Sequence, residues 1–386
     1  MVPTKKILFI SHEASRTGAP IVLLHLLRWL KNNTNITFKV LLLRDGELVS
    51  EFKKIAPTII FFKNIFPKSN LIQKKINNFA RKVYLKYLKN KFKKDNIYLI
   101  YSNTIANGEV LKFLSDYNYP VICHVHELEY VINLYKKSFE QTKKYVSRYI
   151  ALSEAVKKNL IENHNISEEK IEIVYGFIPM RFYNIESYSK SRNKICSELE
   201  IPLEAFIVCA CGSVDWRKGP DLFIQLAYAV YRKKTRIPVY FLWIGGGETK
   251  YLFQLLYDAK KLGIDKFIYF LGAQQDPLDY FLICDVFVST SREDPFPIVC
   301  LEAASLGKPI LCFDKAGGAK EFVENDAGFV IPYLDIEAMA DAIIKLLNSP
   351  QLCECLGQQA KRKAQERFNI EIGASKIFTI IERYLQ

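Results

Sequence analysis

The feature that most constrains the fold of this chain is an alternation of short apolar runs with longer segments of helical periodicity. The runs are rich in β-branched and aromatic residues. They lie at 6–12, 36–43, 58–62, 97–103, 120–126, 149–153, 170–176, 206–212, 239–245, 267–272, 285–290, 309–314 and 328–332. Such alternation predicts βαβ units, and nearly continuous apolar runs predict parallel sheets covered on both faces. We therefore expect an α/β protein with two doubly wound domains.

A polar stretch between the two sets of runs marks the expected domain boundary. Residues 181–202 lack a strong strand signal, and we place the boundary near Tyr183. This predicts an N-terminal domain at 1–183, a C-terminal domain at 184–367 and a terminal helix at 368–386. The terminal helix could pack on either domain, and the N-terminal domain is the one to which it could return. Its apolar stripe consists of Ile372, Ile377, Ile380, Ile381 and Leu385.

Composition limits the class of protein. Of the 386 residues 49% are hydrophobic, so the chain can bury a large core. No apolar run approaches the roughly 18 residues of a membrane helix, and the start becomes polar too early for a signal peptide. The nine cysteines do not have zinc or redox spacing. We expect a cytoplasmic protein whose net charge of +13 favours an anionic partner.

Ligands of open parallel sheets bind beyond the carboxyl ends of the strands, so the cleft between two such domains is the expected site. After the run at 6–12, Gly18 allows a close backbone approach and Pro20 suits the first position of a helix. A strand-to-helix connection without any binding role explains this loop equally well. After the run at 206–212, Arg217 and Lys218 precede a helix start that favours anions, unless they form a solvated basic turn.

The segment "DPFPIVCLE" places two acids around an expected helix start. Pro297 suits the first helical position, which would leave the N–H groups of Ile298, Val299 and Cys300 free to bind phosphate. Glu302 lies one turn further on, where its carboxylate could reach ribose hydroxyls. Asp294 precedes the helix and could accept hydrogen bonds from a sugar, although it could also simply complement the helix dipole.

These residues resemble those of the retaining GT-B glycosyltransferases of glycosyltransferase family 4, also called group 1. The family has two Glu separated by seven residues, and "DPFPIVCLE" fits that frame with Asp294 as the first acid. "HVHELE", "GSVDWRKG" and "AGGAKEFVENDAGFVIP" are similar to further family segments in the same order. The resemblance covers nearly the whole chain except about 46–95. It implies two Rossmann-like domains that face each other across a cleft, with acceptor binding in the first and donor binding in the second.

The resemblance also implies roles for individual residues. Lys218 would bind the donor diphosphate, Glu302 the ribose and Asp294 the donor sugar, while His126 would approach that sugar from the other domain. His124, two residues earlier, lies on the same face of an extended strand, but His126 is nearer its carboxyl end. The expected catalytic residues are His126, Lys218, Arg217 and Asp294. The expected donor-binding residues are Gly18, Gly212, Ser213, Arg217, Lys218, Gly272, Asp294, Phe296, Pro297, Ile298, Val299, Cys300 and Glu302.

Three departures from the family pattern bear on the identity of the donor sugar. Ser213 stands where the family commonly has Arg, so the phosphate contact passes to Arg217. The first acid is the shorter Asp294, with the neighbouring Glu293 as an alternative. Pro297 replaces a Gly and removes one backbone donor.

The activity implied by the resemblance is transfer of a sugar, with retention, from a nucleoside-diphosphate sugar to a glycan or lipid-linked glycan in cell-surface polysaccharide synthesis. Stabilising the leaving diphosphate needs cations and N–H groups rather than a metal, and no D-x-D motif is present. We therefore expect no metal and no cofactor besides the nucleotide-sugar. Other GT-B reactions, by a phosphorylase or a sugar-nucleotide epimerase, remain alternatives.

The segment 72–94 predicts a basic amphipathic helix. Its apolar stripe consists of Ile72, Ile76, Phe79, Val83, Tyr87, Leu88 and Phe92. Its cations are Lys74, Lys75, Arg81, Lys82, Lys86, Lys89, Lys91, Lys93 and Lys94. The lysines could be a solvated face or could contact anionic lipid on the inner face of the cytoplasmic membrane, and we favour lipid contact.

Two rival classes have weaker support. A non-catalytic nucleic-acid module would use the positive charge, but no RNP, KH or helix-turn-helix pattern occurs, so we expect no nucleic-acid partner. A dinucleotide enzyme would rest on "WIGGGE" alone, which lacks the G-x-G-x-x-G context.

Overall fold

The computed structural model describes residues 5–61, 71–181 and 184–385, and for residues 71–82 and 185 it describes the backbone alone. All thirteen predicted strands are present in this part of the chain. They form two parallel sheets, as the near-continuous apolar runs predicted. The chain divides into two compact units, Met1–Tyr175 with Ile370–Gln386, and Gly176–Asn369. The boundary predicted near Tyr183 lies outside the described residues.

The first unit is built on a seven-stranded sheet of order β3-β2-β1-β4-β5-β6-β7. Its strands are β1 (Lys6–Ser11), β2 (Thr37–Leu42), β3 (Thr58–Ile60), β4 (Ile97–Ser102), β5 (Val121–Val125), β6 (Arg148–Ala151) and β7 (Ile171–Ile173). Its helices up to the boundary are α1 (Gly18–Asn33), α2 (Val49–Ile55), α3 (Leu71–Lys94), α4 (Gly108–Leu114), α5 (Glu129–Leu134), α6 (Lys136–Thr142) and α7 (Glu154–Glu162).

The second unit is built on a six-stranded sheet of order β10-β9-β8-β11-β12-β13. Its strands are β8 (Phe206–Cys211), β9 (Val239–Ile244), β10 (Ile268–Phe270), β11 (Val286–Ser289), β12 (Ile310–Phe313) and β13 (Gly328–Ile331). Its helices are α8 (Ile185–Glu198), α9 (Pro220–Arg232), α10 (Thr249–Lys261), α11 (Leu278–Ile283), α12 (Ile298–Ser305), α13 (Ala319–Val323), α14 (Ile336–Leu347) and α15 (Pro350–Arg367).

Burial of both sheet faces stabilises each unit. Consecutive residues of β1, Ile7 to Ile10, point to alternating faces, and all are buried because helices cover both sides. In the second unit Phe223 of α9 packs edge-on against Phe241 and Trp243 of β9. Truncating a fully buried aromatic such as Phe223 to Ala typically costs about 3–5 kcal/mol.

The last helix, α16 (Ile370–Glu382), belongs to the first unit. Ile377, Ile380 and Ile381 of its predicted stripe are buried, and the helix packs on α1. The indole Nε1 of Trp29 donates a hydrogen bond to Glu371 over 2.7 Å. The chain therefore runs through the second unit and returns to the first.

Helix α3 forms where the sequence predicted a basic helix, but its apolar stripe divides between two environments. Leu88 and Phe92 are buried in the core, whereas Val83 and Tyr87 are more than half exposed. The predicted stripe is therefore not one continuous buried face, because the turn of the helix directs Tyr84 and Leu85 toward the core instead of Val83 and Tyr87. Side chains 71–82, which include the other stripe residues, lie outside the described residues. None of the described helices is both long and apolar enough to cross a bilayer.

The strand order identifies where each sheet can bind ligands. In both sheets the strand order reverses beside the first strand of the unit. The reversal lies between β1 and β4 in the first sheet and between β8 and β11 in the second. At such a reversal the two connecting helices leave toward opposite faces, and the loops at the carboxyl ends of the strands separate. The candidate residues are therefore those that follow β1, β4, β8 and β11.

Candidate functional site

The loop after β8 is held in one conformation by hydrogen bonds that its backbone N–H groups donate. The N–H of Gly212 donates to the carbonyl of Ile244, and the N–H of Lys218 donates to the Asp215 carboxylate over 3.1 Å. Gly219 ends the loop in the left-handed region, with φ of 72°, and caps α9. Because these contacts fix the loop, the Lys218 side chain leaves it in a defined direction.

Replacing Gly219 with Ala tests how closely the two loops approach. A Cβ at Gly219 would lie 2.1 Å from the carbonyl oxygen of Thr290, in the loop after β11. Gly263 has nearly the same φ, 71°, but a Cβ there meets nothing within 4 Å. We expect Gly263→Ala to cost about 1 kcal/mol from backbone strain alone and Gly219→Ala to cost about 2 kcal/mol more. Urea unfolding measures both, and equal costs would contradict the close approach.

Lys218 and Asp294 meet at the strand-order reversal of the second unit. Their side chains form an ion pair and are 15% and 9% exposed. The backbone of Asp294 is anchored independently, since its N–H donates to Ala316 over 2.7 Å and its carbonyl accepts from Gly318. Two of the predicted catalytic side chains are thus in contact, and the lysine is paired with a carboxylate.

Arg217 and a residue that the sequence did not single out join the same two loops. The guanidinium of Arg217 donates to the carbonyl of Glu293 over 2.9 Å, and the N–H of Arg292 donates to the carbonyl of Arg217. Arg292 also forms a bidentate pair with Asp221, at 2.9 and 2.6 Å, and lies 4.9 Å from the ring centroid of Trp216. The position of Arg292 after a strand was the only sequence signal. This double attachment makes the loops a rigid frame around Lys218.

The start of α12 differs from the sequence prediction in two respects. Pro297 has a ψ of 106° and precedes the helix, so Ile298 is the first helical residue. The N–H of Cys300 is not free, because it donates to the carbonyl of Pro297 over 3.0 Å. A proline φ near −70° suits both the cap and the first helical position, so φ alone could not tell them apart. The tight first turn of the helix satisfies the N–H of Cys300. Among the described residues the N–H groups of Ile298 and Val299 have no acceptor.

Phe296, the residue before the Pro297 cap of α12, contributes apolar packing to the site. It is buried, and its ring stacks on Phe368 with centroids 5.5 Å apart. A Cβ at Gly176 would lie 2.7 Å from the Phe296 ring. Phe296 therefore fixes the direction of the chain into α12, which is a structural contribution to the site.

Glu302 lies on α12 in an environment that disfavours its charge. Burial raises its pKa to about 7, the negative charge of Asp276 adds to that effect, and Arg181 opposes it. No described residue hydrogen-bonds to its carboxylate. A half-buried carboxylate without a hydrogen-bond partner is costly to keep charged, which makes Glu302 a candidate for ligand binding.

The remaining predicted donor-binding residues lie after β10, after β8 and at the start of α1. Gly272 follows β10 with φ of 69°, and its carbonyl accepts from the N–H of Gly245 over 2.8 Å. The hydroxyl of Ser213 donates to Asp215 instead of pointing freely outward. In the first unit Gly18 is the first residue of α1, so Pro20 is the third helical residue and not the first as predicted.

The two candidate histidines of the first unit have different surroundings. His124 lies within β5 and is fully buried, with Nδ1 2.7 Å from the hydroxyl of Tyr101. His126 lies just beyond the strand and is partly exposed. Their rings are 4.2 Å apart. Burial lowers the pKa of His124 to about 3 and lowers that of His126 well below its usual value. Both imidazoles are therefore neutral near pH 7.

Two further residues that sequence reasoning missed support His126. Asn103, the first residue after β4, lies with its Oδ1 3.1 Å from Nε2 of His126. Glu127 accepts the backbone N–H of His126 over 2.8 Å and the hydroxyl of Thr104. Burial raises the pKa of Glu127, and the hydrogen bond from Thr104 opposes that rise. Their positions directly after strands could have pointed to them.

In the part of the chain that the structure describes, no cluster of three or more His, Cys, Asp or Glu side chains is placed to hold a metal ion. In the described residues, the second unit offers a lysine, a loop braced by arginines, two free helix N–H groups and a half-buried carboxylate. Cations and N–H groups of this kind suit a phosphate, and a carboxylate suits hydroxyl groups.

Comparison with solved structures defines the fold class. The chain has a TM-score of 0.80 to the Anabaena protein Alr3699/HepE solved with UDP and glucose, at 22% identity, covering 98% of this chain and 99% of that one. The two parallel Rossmann-like sheets are thus those of a GT-B fold.

Family models then identify the family. The model described as Glycosyltransferase Family 4 matches residues 17–182, and the model described as Glycosyl transferases group 1 matches residues 191–363. The chain belongs to the group 1, family 4 glycosyltransferases.

Curated relatives are similar over part of their length. The capsular polysaccharide biosynthesis glycosyltransferase CapM of Staphylococcus aureus is 24% identical, over 61% of this chain and 62% of CapM. The N-acetylgalactosamine-N,N'-diacetylbacillosaminyl-diphospho-undecaprenol 4-alpha-N-acetylgalactosaminyltransferase of Campylobacter jejuni is 25% identical, over 56% of this chain and 54% of that enzyme. The chain thus spans less than two thirds of the length of these curated relatives.

Proposed function

We propose that this chain is a retaining glycosyltransferase that transfers a sugar from a nucleoside-diphosphate sugar to a glycan or lipid-linked glycan acceptor in cell-surface polysaccharide synthesis. The observation that carries the proposal is the contact of Lys218 with Asp294 at the reversal of the second sheet. Beside it lie the free N–H groups of Ile298 and Val299, and Glu302 follows on the same helix. Lys218 and the N–H groups match a diphosphate, and Glu302 matches a ribose.

The chemistry proposed for the site is stabilisation of a leaving diphosphate. Departure of the nucleotide builds negative charge on the β-phosphate, and Lys218 with the two N–H groups can offset that charge without reorganising. Arg217 would supply a second cation if its guanidinium exchanged its hydrogen bond to the carbonyl of Glu293 for one to the phosphate. His126 would contact the donor sugar, and Asp294 would accept hydrogen bonds from it.

Ligand binding tests the proposal. HepE was solved with UDP and glucose, so UDP and UDP-glucose are the first compounds to test, with other nucleotide-sugars beside them. We expect a rise in the melting temperature of the wild type and a much smaller rise for Lys218→Ala. A wild type that responds to no nucleoside diphosphate would refute the proposal. Comparing the anomeric configuration of donor and product by NMR would test retention.

Metal independence needs its own experiment. Because the proposed charge stabilisation uses only protein groups, we expect the stabilisation by UDP and the transfer rate to be unchanged in EDTA. Loss of both in EDTA, restored by Mg²⁺ or Mn²⁺, would contradict this part of the proposal.

We further propose that α3 attaches the protein to the inner face of the cytoplasmic membrane. Val83 and Tyr87 are 55% and 54% exposed, and Lys86, Lys93 and Lys94 lie exposed on the same helix. Exposed apolar side chains among lysines fit a surface of anionic lipid. The diphospho-undecaprenol named for the Campylobacter relative makes such an acceptor plausible here.

Sedimentation with vesicles tests the membrane proposal. We expect the wild type to bind vesicles containing anionic lipid, and replacement of the three exposed lysines by Gln to weaken binding at least tenfold at low salt. The matched control replaces three exposed lysines of α10 in the second unit, Lys250, Lys260 and Lys261, by Gln. An equal loss in that control would mean that net charge alone drives binding.

A further inference from the structure

The side chain of Asn103 has one possible orientation. It is fully buried, and its amide Nδ2 donates to the carbonyl of Ala19, in the first turn of α1, over 2.8 Å. The reverse orientation would place two carbonyl oxygens against each other, so Oδ1 must face His126. Asn103 therefore links the start of α1 to the loop after β5.

This orientation determines the protonation of the His126 ring. An amide oxygen can only accept, so Nε2 of His126, 3.1 Å away, must carry the hydrogen. Because the ring is neutral, Nδ1 then holds a lone pair. No described residue hydrogen-bonds to that atom. The ring thus presents one acceptor and no donor on its open side.

The groups around His126 keep it in this state. His124 on β5 and His12 after β1 add to the lowering of its pKa by burial. Glu127 is the acid beside it, and its carboxylate is engaged by the backbone N–H of His126 and by Thr104. Both the backbone and the ring of His126 are therefore held before any ligand arrives, which is the condition for a preorganised contact.

We propose that Asn103 is a positioning residue that holds His126 as the Nε2–H tautomer, so that Nδ1 accepts a hydrogen bond from a hydroxyl group of the substrate. The inference rests on the proposed function for the identity of that substrate. It also limits what the substrate can present there. A hydroxyl donates to Nδ1, whereas a carboxylate such as that of a uronic acid would meet a lone pair and be repelled.

The wild-type protein allows a direct test that needs no activity. With ¹⁵N-labelled histidine at pH 7, we expect the His126 resonances, assigned by their absence in His126→Gln, to show a protonated Nε2 and an unprotonated Nδ1. A wild-type ring protonated at Nδ1 would overturn the proposal.

Asn103→Asp tests the contact itself. A carboxylate facing Nε2–H favours the imidazolium, so the pKa of His126 should rise by roughly 1–3 units. The matched control is Asn107→Asp, since Asn107 is equally buried but donates to Ile10 and Ser102 and has no hydrogen bond to His126. Equal titration of His126 in the wild type and in Asn103→Asp, or equal shifts in both variants, would refute the inference.

Kinetics separate positioning from folding. We expect Asn103→Leu to lower kcat about 10–100-fold with little change in KM for the nucleotide-sugar or in the affinity for UDP. An unchanged kcat would contradict the proposed role. If instead the wild type transfers no sugar at all, the proposed function fails, and the NMR titration still decides whether Asn103 controls His126.

Discussion

Lys218→Ala is expected to lower kcat/KM at least about 100-fold, which corresponds to roughly 3 kcal/mol of transition-state stabilisation. The reason is that Lys218 is the cation placed to meet the charge that grows on the leaving diphosphate. Steady-state kinetics with the best donor from the binding screen measures the effect. Lys320→Ala serves as the control, because Lys320 forms an exposed ion pair with Asp314 in the same unit. Near-normal turnover of Lys218→Ala would remove the lysine from the mechanism.

The ion pair adds a complication that a second variant resolves. Asp294 is nearly buried, so removing Lys218 leaves an unpaired carboxylate and lowers the stability by about 1–3 kcal/mol. Adding Asp294→Asn to Lys218→Ala removes that charge, and we expect it to restore most of the stability but none of the turnover. If turnover returned with stability, the defect of the single variant would be one of folding.

Glu302→Gln is expected to stabilise the protein while it weakens donor binding. Burial raises the pKa of Glu302 to about 7, so the folded protein holds this proton more tightly than the unfolded chain does. The resulting stability is present below the unfolded pKa, about 4.5, and is lost as the pH rises through about 7. The advantage of Glu302→Gln over the wild type should therefore be larger at pH 8 than at pH 5, by about 2 kcal/mol.

Denaturant unfolding at the two pH values measures this difference. Glu354→Gln is the matched control, since Glu354 is exposed on α15 of the same unit, and it should show no such pH dependence. At pH 8 we also expect the affinity of Glu302→Gln for UDP to fall about tenfold or more, from loss of a hydrogen bond to a charged group. A gain that is equal at both pH values would show that the surroundings of the carboxylate do not disfavour its charge. Unchanged affinity would exclude a ribose contact.

Much of the fold could be predicted because the signals were local. Each strand is an apolar run of β-branched and aromatic residues, and both parallel sheets followed from the lack of polar alternation. Helix starts were less certain. Pro20 and Pro297 have a φ that suits several positions, and in the structure they are the third helical residue and the cap. Likewise, whether the N–H of Cys300 is free depends on how tightly the first turn closes.

Contacts within the candidate site depend on residues far apart in the chain. Asn103 contacts Ala19 across 84 positions, and Arg292 contacts Asp221 across 71. No periodicity or spacing predicts such pairs. They form because strands distant in sequence, β1 with β4 and β8 with β11, lie side by side where the sheets reverse.

By itself the sequence determined the α/β class, the thirteen strands and the order of the family segments that carry Lys218, Asp294 and Glu302, because these follow from local propensity and from residue spacing. Only the tertiary structure decided that Lys218 pairs with Asp294, that Glu302 is half-buried without a hydrogen-bond partner and that the amide of Asn103 lies against Nε2 of His126. The physical reason is that pairing, burial and tautomer are set by neighbours across the sheet, and those neighbours exist only once the strands have assembled.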